Sequence, residues 1–121
     1  MDKKTISKAA FYYTLILIIL SLVPIPDLGV PKFKLFELDK LVHFCMYTIF
    51  TIIWGLKSDS KIKVLIFSIL FGLGLEILQH ILPFGRYFDW GDFKANSSGV
   101  LFGIIILFYL KKKITLANNE N

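Results

Sequence analysis

Residues 64–82 read VLIFSILFGLGLEILQHIL, a stretch with no Lys or Arg and a single acid, Glu76. Crossing the hydrocarbon core of a bilayer takes about 20 helical residues, so this run is long enough to span one. Glu76, Gln79 and His80 stand at i, i+3 and i+4, which puts all three on one helical face. A carboxylate near the middle of a bilayer costs roughly 2.5–3.5 kcal/mol on insertion scales. A polar stripe of this kind is expected to point into a bundle, and other helices must meet it.

Three further apolar runs supply those helices: Ala9 to Val23, Leu41 to Leu56 and Ala95 to Leu110. The expected architecture is an all-α membrane protein, a compact bundle of four transmembrane helices at about 9–25, 40–57, 63–83 and 93–110. All of it forms one domain, 1–121. Composition agrees: apolar residues make up 55% and charged residues 19%, below the roughly 25% charge of soluble domains. Lys3, Lys4 and Lys8 before the first run resemble a signal peptide's basic region. No small-residue cleavage site follows, and the run ends in Val23-Pro24-Ile25-Pro26, so a retained helix is expected.

Pro24, Pro26, Gly29 and Pro31 mark Ile25 to Leu38 as a loop, Lys57 to Lys63 reads as a tight turn, and Pro83, Gly85 and Gly91 mark a third connection. The tail after Lys113 is expected to be disordered. The lone Cys45 excludes an intrachain disulfide and reads as packing. The net charge of +5 does not indicate a nucleic-acid partner, because the basic residues sit in short groups beside apolar runs. Nine of them fall in the N-terminus, the middle turn and the cluster Lys111-Lys112-Lys113, whereas Lys32, Lys34, Lys40, Arg86 and Lys94 lie on the opposite side. The positive-inside rule puts both termini in the cytoplasm and the first and third loops outside. Acids on that outer side are Asp27, Glu37, Asp39, Asp89 and Asp92.

The same side gathers the polar residues. Asp39 and His43 form an i, i+4 pair with Lys40 between them, Asp92 and Asn96 form another, and Arg86 and Asp89 lie in the third loop. With Glu76, Gln79 and His80 they converge at one level. Plainer roles stand beside functional ones: Asp39 and Asp92 as helix caps, Gln79 and Asn96 as interhelical glue, Arg86 as a lipid-phosphate anchor. Tyr47, Tyr87 and Trp90 suit an interfacial aromatic belt or bundle packing. Ala95, Gly99 and Gly103 repeat every fourth residue on the last helix, and Gly72 and Gly74 precede Glu76; such residues let helices approach closely.

The pattern Asp39-Lys40-x-x-His43-x-x-x-Tyr47, Glu76-x-x-Gln79-x-x-x-Pro83-x-x-Arg86 and Asp89-x-x-Asp92-x-x-x-Asn96-x-x-Gly99-x-x-x-Gly103 resembles the VanZ-like family of bacterial integral membrane proteins. The resemblance covers Asp39 to about Leu110; His80 is a local feature outside the pattern. It implies a small multi-helix protein of the bacterial cell membrane, and its name-giving member is associated with resistance to the glycopeptide teicoplanin.

Two functions follow from the clustered residues. An enzyme acting on a cell-envelope or lipid-linked substrate at the outer leaflet would use Glu76, His43, Asp39 and Asp92 in catalysis. Glu76 or His80 would be its general acid or base. Arg86, Gln79, His80, Asp89, Asn96 and Lys40 would bind the substrate. A non-catalytic binder of an envelope lipid would use the same set as a recognition pocket, and a structural network would use it only to hold the bundle. No cofactor is expected. Two His and several acids can hold Zn²⁺ or a harder cation, but E-x-x-Q-H is no recognised metal signature. A transporter is disfavoured, because the cytoplasmic half lacks polar lining residues.

Overall fold

The computed structural model describes residues 1–24, 29 and 31–121 of the chain. It is all-helical: α1 Lys3–Leu22, α2 Lys32–Lys57, α3 Lys61–Ile81 and α4 Trp90–Glu120. Two of the four, α1 and α3, are long and apolar enough to cross a membrane.

Local chemistry sets most of the helix ends. The Asp2 carboxylate caps α1 by accepting from the Thr5 N–H at 2.8 Å. The Ser60 hydroxyl accepts from the Lys63 N–H at the start of α3, and Asp89 accepts from the Gly91 N–H at the start of α4. Pro31 stands at the N-cap of α2, where a missing N–H breaks no helical bond. Helix α2 therefore begins well before Asp39, and the expected loop to Leu38 gives way to helix from Lys32 onward. Residues 25–28, including Asp27, lie outside the described residues. Asp39 thus sits inside a helix and does not cap one. At α4 the cap is Asp89, with Asp92 in the first turn.

The tail is a second departure from expectation. Helix α4 continues through Lys111-Lys112-Lys113 to Glu120, since Ile114, Leu116 and Ala117 are compatible with helix. The Lys111 ammonium donates to the Ser58 carbonyl in the α2–α3 turn at 2.5 Å, so the helix beyond it projects past the bundle and is exposed. At the other end the Arg86 guanidinium donates to Val23 O, tying the α3–α4 loop to the end of α1.

Helices α2 and α4 form the most extensive pair. Gly99 and Gly103 face α2: a Cβ at Gly99 would run into the Phe44 backbone carbonyl, and one at Gly103 into Thr48 O and the Thr51 side chain. Thr48 Oγ1 donates across this seam to Gly99 O at 3.1 Å. Gly72 lies against the Tyr47 ring. The apolar core is Leu17, Tyr47, Phe50, Leu75 and Val100, extended by Phe71 stacked on Phe50 at 4.8 Å between centroids.

Inside and outside are distributed in an unusual way. Ser21, His43, Thr48, Thr51, Ser68, Glu76, Gln79, Asp92 and Asn96 are buried, whereas Phe11, Ile16, Ile19, Ile66, Leu70, Leu101 and Ile105 face outward. Water would penalise such an exterior. A hydrocarbon solvent favours it, because polar groups then seek the protein interior.

Candidate functional site

Lys40 is the hub of the charged end. From α2 its ammonium reaches across to the start of α4, bonding Asp92 Oδ1 at 2.5 Å and Asp89 Oδ2 at 2.8 Å. Its neighbour Asp39 lies 3.6 Å away through Oδ2. Gly91 leaves room for this approach, since a Cβ there would push the end of the Lys40 side chain aside. One turn along α2, His43 is 5% exposed and joins the same group. Its Nδ1 lies 2.8 Å from Asn96 Oδ1. Its Nε2 lies 3.5 Å from Asp39 Oδ1 and 3.7 Å from Asp92 Oδ2. The i, i+4 spacings on two helices thus mesh as two facing pairs.

Glu76 lies beneath this group, 1% exposed, and its carboxylate accepts from the Asp89 N–H at 3.4 Å. His80 Nδ1 accepts from the next amide back, Phe88 N–H, at 3.5 Å. One turn of α3 therefore holds two consecutive amides of the α3–α4 loop. The three polar residues of that turn diverge, however. Glu76 and Gln79 are buried, whereas His80 is exposed against the Tyr87 ring. Gln79 turns away from the charged group and donates through Nε2 to Ser21 O in α1 at 2.5 Å, leaving its buried Oε1 without a partner.

The site opens through a cleft of about 650 Å³ whose lining includes Asp39, Arg86, Asp89, Trp90 and Asp92. A smaller neighbour of about 220 Å³ reaches His43 and Ser21 and shares Asp39 and Arg86. Glu76 lines neither. Arg86 thus stands over acids that Lys40 already engages, where its charge is available to an anion. Partial burial works against ionisation of Asp89, but the Lys40 ammonium and the Gly91 N–H outweigh it and hold its pKa below the usual carboxylate value.

The structure brings together Asp39, Lys40, His43, Asp89, Asp92 and Asn96, with Glu76 underneath and Arg86 at the rim. Gln79 and His80 stand apart from that centre. Tyr47 is core, while Tyr87 and Trp90 are 74% and 65% exposed. Sequence reading missed the central position of Lys40, treating it as one of several substrate contacts. The available signal was its place between Asp39 and His43 at a level where two more acids arrive.

Apolar helices around a buried charged centre, with an apolar exterior, mark a membrane protein. The family is specific: the VanZ/LLP1 model matches residues 3–112, nearly the whole chain, and the protein belongs to that family. No curated protein matches, and no solved structure matches.

Proposed function

We propose that the chain crosses the cell membrane four times with both termini in the cytoplasm. Its charged cleft, at the outer leaflet, binds or acts on an anionic cell-envelope or lipid-linked glycan component. Its cellular effect is on susceptibility to glycopeptides such as teicoplanin, the association carried by the family name. One observation carries the reading: Arg86 and Asp39 line both the larger cleft, together with Asp89 and Asp92, and its smaller neighbour, which reaches the buried His43. A guanidinium suits a phosphate or carboxylate, and the Asp39–His43–Asp92 group lies beside the same ligand, where it can act on it. Glu76 then acts by positioning the loop through the Asp89 amide.

The test compares cells carrying wild-type protein, Arg86→Ala protein or none, reading lipid-linked envelope intermediates by mass spectrometry and teicoplanin susceptibility. Arg86 makes one long bond to Val23 O, at 3.2 Å, so its loss should leave thermal stability within about 0.5 kcal/mol while abolishing both effects. Indistinguishable envelopes and susceptibilities in all three strains would sink the proposal. A second reading is favoured by the Lys40 bridges to α4: the charged group only fastens the bundle. In that case every substitution that impairs function lowers the unfolding temperature in parallel.

A further inference from the structure

The orientation of His43 has a consequence of its own. An amide oxygen only accepts, so the 2.8 Å contact with Asn96 Oδ1 requires the hydrogen to sit on Nδ1. In the neutral ring Nε2 then presents a lone pair, and that lone pair points at two carboxylate oxygens, Asp39 Oδ1 at 3.5 Å and Asp92 Oδ2 at 3.7 Å. Lone pairs facing one another in a buried pocket repel unless something positive lies between them.

We infer that Asp39 Oδ1, His43 Nε2 and Asp92 Oδ2 are three ligands of a divalent cation of the Zn²⁺ class. Three observations converge. One donor atom from each of Asp39, His43 and Asp92 lies within 4.8 Å of the others. Ligands on a tetrahedral zinc with bonds of about 2.0–2.2 Å stand roughly 3.3–3.6 Å apart, close to the two distances from Nε2. The surroundings also match, because metal-bound histidines donate their other N–H to a carbonyl and ligating carboxylates are themselves hydrogen-bonded. Here Asn96 takes the Nδ1 hydrogen, and Lys40 engages the remaining oxygens, Asp92 Oδ1 and Asp39 Oδ2. Charge is compatible with this: three acids, Asp39, Asp89 and Asp92, share the Lys40 ammonium and the Arg86 guanidinium at the rim. Imidazole among the ligands selects against Mg²⁺ and Ca²⁺. Three protein ligands leave a fourth position, which faces the cleft lined by Asp39 and Asp92 and takes water or an anionic oxygen.

The experiment uses full-length protein in detergent, stripped with chelator and titrated with Zn²⁺ or Co²⁺. The expected result is one metal per chain, with the visible absorption of four-coordinate Co²⁺. Asn96→Ala should weaken binding about 10–100-fold, His43→Ala should abolish it, and His80→Ala should leave it unchanged. Asp39→Cys, whose thiolate is close in reach to the carboxylate oxygen, should keep the site and add a sulfur-to-cobalt charge-transfer band, absent from the wild type, whose Cys45 is exposed elsewhere. Substoichiometric metal in the wild type, or a Cys variant without the band, would overturn the assignment even if His43→Ala does not fold. Either outcome would leave a proton rather than a metal between these groups, and would leave the cleft's envelope ligand to its own test.

Discussion

At the scale of single residues, the decisive feature is that one lysine serves carboxylates from two helices and the α3–α4 loop. Asp92 is 5% exposed in its side chain and Lys40 18%, so neither charge has much water to fall back on. Removing one partner of a buried pair costs roughly 3–5 kcal/mol, mainly through the charge left behind, and the partial exposure of Lys40 places this pair at the lower end. Lys40→Ala should therefore destabilise chelator-treated protein by about 3 kcal/mol. In an Asp92→Asn background the same replacement should cost less, with a coupling of about 0.5–3 kcal/mol. Thermal or denaturant unfolding of the four proteins in detergent measures this coupling, and additive costs would show that the bond carries no stability. Residue identities made the members of this cluster legible in the sequence. That one lysine would engage Asp39, Asp89 and Asp92 together was not, because this depends on how closely α2 and the start of α4 approach.

At the scale of elements, the small residues of α4 do what their spacing suggested. Gly99 and Gly103 turn towards α2 and bring the facing i, i+4 pairs into register. Gly99 abuts backbone of Phe44, which cannot swing aside as a side chain would, whereas a Cβ on Gly74 meets nothing within 4 Å. Gly99→Ala should thus destabilise by about 1–3 kcal/mol through overpacking, and Gly74→Ala should be neutral or stabilise by up to about 1 kcal/mol through helix propensity. Unfolding in detergent distinguishes them; equal shifts would mean that the α2–α4 seam is not tightly packed. Four helices, their order and the meeting of Asp39, Lys40, His43, Asp89, Asp92 and Asn96 were readable from hydropathy and spacing, whereas Gln79 and His80, expected in the same group, stand apart from it. Their ends were less so. Proline was read as ending order up to Leu38, yet Pro31 starts a helix, and a polar tail was read as disorder although its residues extend α4.

At the scale of the whole molecule, the question is how many helices cross. By length all four suffice, at 20, 26, 21 and 31 residues, and the polar cluster explains why only α1 and α3 pass on apolarity. The hydropathy of α2 and α4 is lowered by Asp39, Lys40, His43, Asp92 and Asn96, of which His43, Asp92 and Asn96 are buried and Asp39 and Lys40 partly so. Counting them against membrane insertion mistakes inward groups for lipid-facing ones. In a Cys45→Ala background, single cysteines at Lys34 near the start of α2, Asp59 and Tyr87 in the two following connections and Asn118 near the end of α4 report the sides, and all four positions are exposed. Four crossings with cytoplasmic termini require Lys34→Cys and Tyr87→Cys to react with a membrane-impermeant maleimide on intact cells. Asp59→Cys and Asn118→Cys should react only after permeabilisation. If α4 stayed on the outer side, Asn118→Cys would label with Tyr87→Cys; if α2 failed to cross, it would stay outside and Asp59→Cys would label like Lys34→Cys. A fully inverted pattern would instead refute the orientation drawn from the nine-to-five distribution of basic residues, and would turn the cleft towards cytoplasmic ligands.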